Sequence, residues 1–408
     1  MGANVSTIPE DLCSPYYFAL ESLKNDGYGK LDHNSLNNNI ISKTDCVANV
    51  SSKRKASLSP IKSAFNGVWS IILTSSLCPP NRIGQFSCYS KEKFTEYIGY
   101  GISPSGITLT DVWEFNTQTL TWRKILLNGE KISPRSGSSA IFYNGCIIIF
   151  GGYNKPNYFG DLHTINVNTG EVRRHKTHGQ EPEPRSTPIM GIYNRKLFIW
   201  GGYNGNYIND LSILSFDDMK WNKISFEFSG RSSIPFLTDK NQIFAYGGSN
   251  ENGLVSINME TLSIENVITT GCCPPAEIAS AGMVNIGEYY LFFGGKASTK
   301  YTILYALDVK RMWWYVFHVL PDDVTTSLDD GKISDLFQIF MIPRIYNYSF
   351  CYNEKKRQVM AFMGTPHSDP PSIFIISIGE ALGFINLRQD MRECFENDMN
   401  MFSSTQSS

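Results

Sequence analysis

Short apolar runs, each ending in a glycine signal, recur along this chain at near-constant distances. Four of the signals are glycine pairs: Gly151-Gly152, Gly201-Gly202, Gly247-Gly248 and Gly294-Gly295. Tyr100-Gly101 precedes them, and Met363-Gly364 follows after a longer interval. The apolar runs are rich in β-branched and aromatic residues, as in Cys146–Phe150, which is typical of buried strands. The pattern predicts six copies of one structural unit.

Each unit contains more than the strand before the glycines. A turn such as Tyr143-Asn144-Gly145 and another short strand precede that strand, so the two form a hairpin. A third strand follows the glycines, as in Asp161–Ile165, and a fourth follows after a turn, with Trp122 and Trp221 as examples. Four strands in about 45–50 residues fit a propeller blade. Several blades must pack in a ring, because one blade alone cannot bury both faces of its sheet.

These features resemble the Kelch repeat family. The stretches that match its glycine-pair, tyrosine and later Asp-Leu pattern are Gly151–Asn154 with Asp161-Leu162, and Gly201–Gly205 with Asp210-Leu211. Trp122 and Trp221 stand where the family keeps its tryptophan. The resemblance covers residues 66–388 and is strongest in the second and third units. It implies an all-β, six-bladed β-propeller with four antiparallel strands per blade, which binds proteins and is not an enzyme.

The resemblance also implies how the ring closes and where the propeller lies. We expect Val68–Leu73 to form the outer strand of the sixth blade, with Gly383–Leu387 as the competing candidate. The propeller is expected over residues 65–390, between a polar extension (1–64) and a C-terminal tail (391–408). The extension is rich in Ser and Asn, so we expect disorder there apart from a short helix near residues 12–23. An acidic insertion, 321–338, precedes the last blade.

The N-terminal extension carries three candidate modification sites. The first residues match the N-myristoylation pattern at Gly2, and a single acyl chain gives at most weak membrane association. Ser57 follows a basic triplet and Ser59 precedes a proline, so both resemble kinase sites. Phosphate there would set negative charge against the basic cluster. An unmodified N-terminus and linker remain the alternative.

The net charge, the apolar runs and the cysteines indicate which kinds of partner and which cell compartment to expect. The net charge of −2 gives no overall basic field, so no nucleic-acid partner is expected. No apolar run is long enough to span a membrane, and the N-terminus lacks the layout of a signal peptide. The nine cysteines form no CxxC pair, so a zinc cluster is not expected. Their odd number, with no spacing pattern and no secretory signal, favours a reducing compartment. We therefore expect a cytoplasmic protein, with membrane or cytoskeletal association as a further option.

No sequence motif indicates catalysis. The nucleophile elbow, the P-loop and the HExxH zinc motif are all missing from the sequence. His175 and His178 would not share one face of a strand, so solvated histidines are the better interpretation than a metal site. No catalytic residue, metal or cofactor is predicted. A galactose-oxidase-like copper enzyme is the enzymatic alternative, for which no ligand set was found.

An arginine recurs just before the first strand of most units. The five are Arg82, Arg135, Arg185, Arg231 and Arg344. At equivalent points around one channel mouth they would form a cationic ring suited to carboxylates or phosphates. The competing interpretation is structural: each arginine bonds loop carbonyls between blades.

Aromatic residues in the loops after the glycine pairs are expected at the same mouth. Tyr158, Phe159 and Tyr207 are predicted to contact a partner. Tyr153 and Tyr203 are expected to pack within the repeat.

Together these features predict a non-enzymatic scaffold or adaptor. Its propeller-face loops would bind a partner protein or an acidic or phosphorylated peptide. An actin-associated cytoskeletal Kelch protein is the first alternative. A ubiquitin-ligase adaptor is a second, although the extension is too short for a BTB fold.

Overall fold

The computed structural model describes the following residues: 67–73, 77–248, 253–271, 273–275, 278–287, 289–297, 299–317, 319–321, 332–333, 340–368 and 370–378. These residues form strands and loops, with no helix among them. Five sequence predictions lie outside them: the modification sites Gly2, Ser57 and Ser59, the helix near residues 12–23, and the candidate strand Gly383–Leu387. The tail and most of the acidic insertion lie outside them too.

The first half of the fold contains blades 1 to 3. The described part starts with β1 (Gly67–Leu73), followed by blade 1 with β2 (Phe86–Ser90), β3 (Thr95–Gly99), β4 (Val112–Asn116) and β5 (Thr121–Ile125). Blade 2 contains β6 (Asn128–Gly129), β7 (Ser139–Tyr143), β8 (Cys146–Phe150), the hairpin β9 (Tyr153–Asn154) and β10 (Asn157–Tyr158), β11 (Leu162–Asn166) and β12 (Glu171–His175). Blade 3 contains β13 (His178–Gly179), β14 (Ile189–Tyr193), β15 (Lys196–Trp200), β16 (Asp210–Ser215) and β17 (Lys220–Ser225).

The second half contains blades 4 to 6. Blade 4 has β18 (Phe236–Asp239), β19 (Gln242–Tyr246), β20 (Leu254–Asn258) and β21 (Ser263–Val267). Blade 5 has β22 (Thr270–Gly271), β23 (Ala279–Asn285), β24 (Tyr289–Lys296), β25 (Tyr301–Thr302), β26 (Leu304–Asp308) and β27 (Trp313–Phe317). The remaining strands are β28 (Val319–Pro321), β29 (Lys332–Ile333), β30 (Phe340–Pro343) and those of blade 6, β31 (Ser349–Asn353), β32 (Gln358–Phe362) and β33 (Ser372–Ser377).

The N-terminal strand closes the ring. β1 pairs antiparallel with β33, from Val68 opposite Ser377 to Leu73 opposite Ser372, so it supplies the fourth strand of blade 6. Buried Trp69 stacks on Phe374 at 5.4 Å between ring centroids. The first strand of blade 1 contacts those of blades 6 and 2, and the first strand of blade 2 also contacts that of blade 3. The first strand of blade 5 contacts those of blades 4 and 6. The predicted six-bladed all-β propeller and its closing strand are confirmed.

Tryptophans fill the spaces between neighbouring blades. Trp122 of blade 1 lies 5.4 Å from Phe362 of blade 6, measured between ring centroids. Trp221 of blade 3 contacts Phe150 of blade 2 at 6.1 Å. Each ring is buried against the second strand of the preceding blade. Apolar burial between blades is what holds a ring of sheets together.

Four blades carry a fifth strand that the sequence analysis did not predict. β6, β13, β22 and β28 run parallel to the outer strand of blades 2, 3, 5 and 6. Each comes from a connecting segment that passes along this edge on its way between blades. Within the described residues, blades 1 and 4 have four strands, and β5 and β21 form their outer edges.

At the glycine signals, the backbone conformation is nearly the same in blades whose residues differ there. Gly151 and Gly201 have φ of 71° and 70°, and Tyr100 and Met363 adopt nearly the same values, 61° and 65°. A Cβ on Gly151 would lie 2.4 Å from the carbonyl oxygen of Arg185, which explains why glycine is needed in blade 2. The degenerate signals of blades 1 and 6 therefore mark the same turn.

Candidate functional site

One end of the propeller carries the glycine signals, the arginines and the aromatic loops, and we call this end the glycine face. In blades 1, 2, 3, 5 and 6 the second residue of the glycine signal donates its N–H to a carbonyl of the next blade. The bonds are Gly101 to Arg135 (3.1 Å), Gly152 to Arg185 (2.9 Å), Gly202 to Arg231 (2.8 Å), Gly295 to Ile345 (2.8 Å) and Gly364 to Arg82 (3.2 Å). The last of these joins blade 6 to blade 1. The glycine face is thus tied together blade to blade through the main chain.

In blades 1 to 3 the arginine side chains are fully buried and paired with aspartates. The bidentate pairs are Arg82–Asp111, Arg135–Asp161 and Arg185–Asp210. Each guanidinium also donates to the carbonyl of the first residue of the glycine signal in its own blade, at 3.1 Å in all three. Planar guanidinium matches carboxylate geometry, so these are strong, oriented contacts.

The ion pairs keep the three aspartates charged. Burial alone would raise the pKa of Asp111, but the hydrogen bonds and charge of Arg82 outweigh burial, and its pKa lies below the usual value. The pKa values of Asp161 and Asp210 are lowered in the same way by Arg135 and Arg185. Lys223 adds to the effect on Asp210, since its Nζ lies 2.6 Å from the carboxylate.

The other two arginines are held differently. Arg231 is buried and donates to the carbonyl of Gly247 at 2.6 Å, and Gly253 takes the place of the aspartate in blade 4. Arg344 stands one residue out of register, because Ile345 accepts the bond from Gly295. Arg344 is half-buried, which lowers its pKa, and its Nε donates to the carbonyl of Thr299 at 3.0 Å.

The exposed cationic ring expected from the sequence is therefore not what the structure contains. In blades 1 to 4 the guanidiniums face aspartates and carbonyls inside the protein, which is the structural interpretation. Arg344 is not equivalent to the others, because Ile345 takes the position of the buried arginine in blade 6. The aspartates Asp111, Asp161 and Asp210 were not recognised as partners. Their signal was the similar distance from arginine to Asp in blades 1 to 3.

Four tyrosines form a row across the loops of blades 2 and 3, which we call the tyrosine row. Its ring centroids are 4.7 Å apart for Tyr153 and Tyr158, 6.3 Å for Tyr158 and Tyr203, and 5.4 Å for Tyr203 and Tyr207. Tyr207 is 47% exposed and Tyr203 36%, whereas the other two are half-buried. Tyr207, which was predicted to contact a partner, is exposed. Tyr203, expected to pack within the repeat, is open to solvent as well.

Phe159 belongs to the support of this row. The guanidinium of Arg135 lies 3.8 Å from the centroid of the Phe159 ring, a cation–π contact. Phe159 also donates its N–H to the carbonyl of Gly152 and accepts a bond from Arg185, both at 2.9 Å. It was predicted to contact a partner, but its ring is half-buried against arginine.

The tyrosine row offers apolar area together with hydrogen-bonding groups. Burial, with Tyr203 and Tyr153 alongside, raises the pKa of Tyr158 above its usual value, so its phenol stays protonated at neutral pH. Main-chain bonds fix the loops: Ser136 and Tyr153 bond each other at 2.7 and 2.9 Å, and Ser186 and Tyr203 do so at 2.9 and 3.0 Å. Rigid, amphipathic rings of this kind suit protein contacts.

The central channel holds one unusual group. A cavity of ≈ 460 Å³ runs between the first strands of all six blades, and Glu96 is among its lining residues. The Glu96 side chain is fully buried, and neither oxygen makes a hydrogen bond of normal geometry to a described residue. Burial raises its pKa well above the usual value, which the nearby Ser87 hydroxyl offsets only in part.

Histidines and acidic residues elsewhere among the described residues do not form a metal site. Among those that the structure describes, no three His, Cys, Asp or Glu side chains are grouped to hold a metal ion. His175 bonds the hydroxyl of Thr164 at 2.8 Å, while His178 lies on the neighbouring strand β13. No helix in the described part is long and apolar enough to cross a membrane.

The repeat geometry agrees with a comparison against protein families. Residues 61–248 match the family model described as the KLHDC2/KLHL20/DRC7 Kelch-repeats domain. This part of the chain is similar to Kelch-repeat domains. The match covers blades 1 to 3 and the first two strands of blade 4, and it confirms the resemblance. Kelch propellers generally serve as protein-interaction scaffolds.

Curated relatives share parts of the Kelch array. Acyl-CoA-binding domain-containing protein 5 of Arabidopsis thaliana is 31% identical over 26% of this chain and 16% of its own length. Human Host cell factor 1 is 34% identical over 21% of the chain and 4% of its own length. Human Kelch domain-containing protein 1 is 34% identical over 14% of each. The matched stretches thus span a small part of these relatives.

Proposed function

We propose that this Kelch propeller is a protein-binding scaffold whose glycine face captures a partner segment on the tyrosine row. One observation carries the proposal: four phenol rings touch in sequence across two blades and leave Tyr203 and Tyr207 open. Tyrosine supplies a large contact area with few rotatable bonds and can hydrogen-bond along its edge, and it is enriched at interaction hot spots.

In this proposal the buried arginines act as supports for the row. Asp161 orients Arg135, whose guanidinium stacks on Phe159 next to Tyr158. Arg185 does the equivalent for the loop of blade 3 through its bond to the carbonyl of Gly201. Direct reading of a phosphorylated peptide by these guanidiniums has no support here, because aspartates already occupy their donors. We therefore assign the partner contact to the tyrosines.

The test is quantitative capture of partners from the native cell with the full chain and the double variant Tyr203→Ala/Tyr207→Ala. Partners retained by the parent protein should be lost at least tenfold, since each hot-spot side chain contributes on the order of 1–2 kcal/mol. Ile268→Ala is the matched control, because it removes apolar area that is 86% exposed away from the row. A partner set unchanged by the tyrosine variant would refute the proposal.

A further inference from the structure

Three connecting segments dock on the outer edge of the next blade in one common way. We call them plugs: Asn128-Gly129-Glu130 on blade 2, His178-Gly179-Gln180 on blade 3, and Thr270-Gly271 on blade 5. Each runs parallel to the fourth strand of the blade, at the same place in the register. The protein thus contains repeated examples of one short peptide bound at a sheet edge.

The plugs share their hydrogen bonds. The first residue donates its N–H to the turn before the fourth strand: Asn128 to Gly170 (3.0 Å), His178 to Met219 (3.2 Å) and Thr270 to Met312 (3.0 Å). The third residue donates to the second residue of that strand: Glu130 to Val172 and Gln180 to Trp221, both 3.0 Å. The side chains of Glu130 and Gln180 then accept a bond from the N–H of Arg174 and Lys223, two residues further along.

The middle residue of the plug has to be glycine. Gly129, Gly179 and Gly271 have φ of 84°, 92° and 86°. A Cβ on Gly129 would lie 2.7 Å from the carbonyl oxygen of Val172, and one on Gly179 would lie 2.5 Å from that of Trp221. Both the backbone conformation and the close approach exclude other residues. The three plugs thus share a polar residue followed by glycine, and in blades 2 and 3 a Glu or Gln follows.

Blade 1 offers the same edge without a plug among the described residues. In blade 1, Trp122 pairs with Phe115 and Lys124 with Trp113. In blade 2, Val172 pairs with Ile165 and Arg174 with His163 in the same register. Trp122 therefore corresponds to Val172, and Lys124 to Arg174. Blade 1 therefore has the same three groups that hold the plug of blade 2: the carbonyls of Leu120 and Trp122, and the N–H of Lys124. β5 is the last strand of its sheet, with no described strand beyond it.

Charge distinguishes the outer edges of blades 1 and 4, neither of which pairs with a further described strand. Blade 1 presents exposed Arg123 and Lys124, just as blade 2, whose plug ends in glutamate, presents Arg173 and Arg174. Blade 4 presents Glu265 and Asn266 at the same positions. An acidic third residue is therefore favoured at blade 1 and disfavoured at blade 4.

We propose that the outer edge of blade 1, β5, is a docking site for an extended segment of a partner protein with the sequence type Asn-Gly-Glu. The segment adds parallel to β5, through the three main-chain groups named above, with its carboxylate on the N–H of Lys124. Main-chain bonds would supply the affinity, and the glycine and the acidic residue the specificity. This surface lies at the rim of the ring and is independent of the tyrosine row.

The test uses the full chain and a fluorescent peptide copied from residues 126–132, Leu-Leu-Asn-Gly-Glu-Lys-Ile. Fluorescence anisotropy should show saturable binding, and a peptide with Gly129→Ala should bind at least tenfold more weakly. In the protein, Lys124→Pro removes the donor for the carboxylate and should also weaken binding at least tenfold. Proline is tolerated where an edge N–H faces solvent. The matched control on blade 4, Asn266→Pro, should bind the peptide as the parent does.

Two results would overturn the proposal. One is the lack of saturable binding up to about 1 mM peptide, the weakest affinity still counted as specific. The other is binding that Lys124→Pro leaves unchanged, which would show that the peptide displaces the plug of blade 2 or binds elsewhere. Should Lys124→Pro fail to fold, Lys124→Glu serves in its place. Its reversed charge should weaken binding most at low salt, and an unchanged affinity would again refute the site.

Discussion

Blades 1 to 3 and blades 4 to 6 share one backbone but fix it by different means. In the first group a buried arginine forms an ion pair with the aspartate at the start of the third strand, as in Arg185–Asp210. In blade 4 the arginine remains but Gly253 replaces the aspartate, and in blade 6 Ile345 replaces the arginine itself. The main-chain bonds between blades persist in both groups. The main-chain bonds between blades are thus common to both groups, and the ion pairs are an addition in blades 1 to 3.

The addition coincides with the tyrosine row. Blades 2 and 3, which carry the row, are the blades in which the aspartate-fixed arginines Arg135 and Arg185 hold the loop carbonyls of Gly151 and Gly201. A loop fixed before binding loses less entropy when a partner arrives. In the proposed function, the ion pairs of blades 2 and 3 would preorganise the loops of the tyrosine row as well as stabilise the fold.

The largest loss of stability is expected from Asp210→Ala, which removes one of the arginine–aspartate ion pairs of blades 1 to 3. Removing the carboxylate leaves the fully buried guanidinium of Arg185 without its partner, which typically costs about 3–5 kcal/mol. We expect the free energy of unfolding, measured by urea denaturation, to fall by about that amount.

The controls separate burial from charge. Asp217→Ala removes an equally short ion pair with Arg195, but both side chains are exposed, so little change is expected. Arg185→Leu combined with Asp210→Ala should regain much of the lost stability, because no unpaired charge remains. If Asp210→Ala proved as mild as Asp217→Ala, the ion pairs would not distinguish the two groups of blades.

Much of the fold could be predicted because its signals are local and repeated. Apolar runs ending in glycine gave the number of blades, and the run at Val68–Leu73 gave the closing strand. The fifth strands were missed because two-residue segments such as Asn128–Gly129 carry no apolar pattern. Their glycines were nevertheless visible in the sequence.

The site could be predicted less well, because it depends on side-chain partners far apart in sequence. The arginines were found in the sequence. A repeated arginine is compatible both with an exposed cationic ring and with a buried ion pair, and only the identity of its aspartate partner distinguishes the two. Arg344 fits the sequence pattern and yet lies out of register. Glu96 stands in the place of Ile147 and Leu197 within its strand, and only packing shows that its carboxyl is buried.

A smaller effect is expected from Glu96→Leu, which gives blade 1 the kind of residue that blades 2 and 3 have there. A buried carboxyl without hydrogen bonds costs about 1–3 kcal/mol, so the variant should be more stable by that amount at neutral pH. The raised pKa of Glu96 makes this cost depend on pH. It is smallest below about pH 4.3, where the unfolded carboxyl is also protonated, and it grows as pH rises toward the folded-state pKa.

Urea denaturation at pH 5 and pH 8 measures this difference. The parent protein should lose stability relative to Glu96→Leu between the two values, and Glu96→Gln should remove the pH dependence while keeping the shape. The reverse exchange, Ile147→Glu, should lower the stability of the protein in the same pH-dependent way. A stability gap between parent and Glu96→Leu that stays constant with pH would show that Glu96 does not titrate as its burial requires.

The smallest effect separates the two kinds of arginine. Arg344→Met keeps the long apolar stem but removes a half-buried guanidinium whose hydrogen bonds run to main-chain and hydroxyl oxygens, such as those of Thr299. No carboxylate is stranded, so we expect a loss below about 1 kcal/mol. Arg185→Met should cost distinctly more, because it leaves Asp210 buried with only Lys223. Equal losses for the two variants in parallel urea titrations would mean that the register shift at Arg344 has no energetic consequence, and the arginines would then form one class.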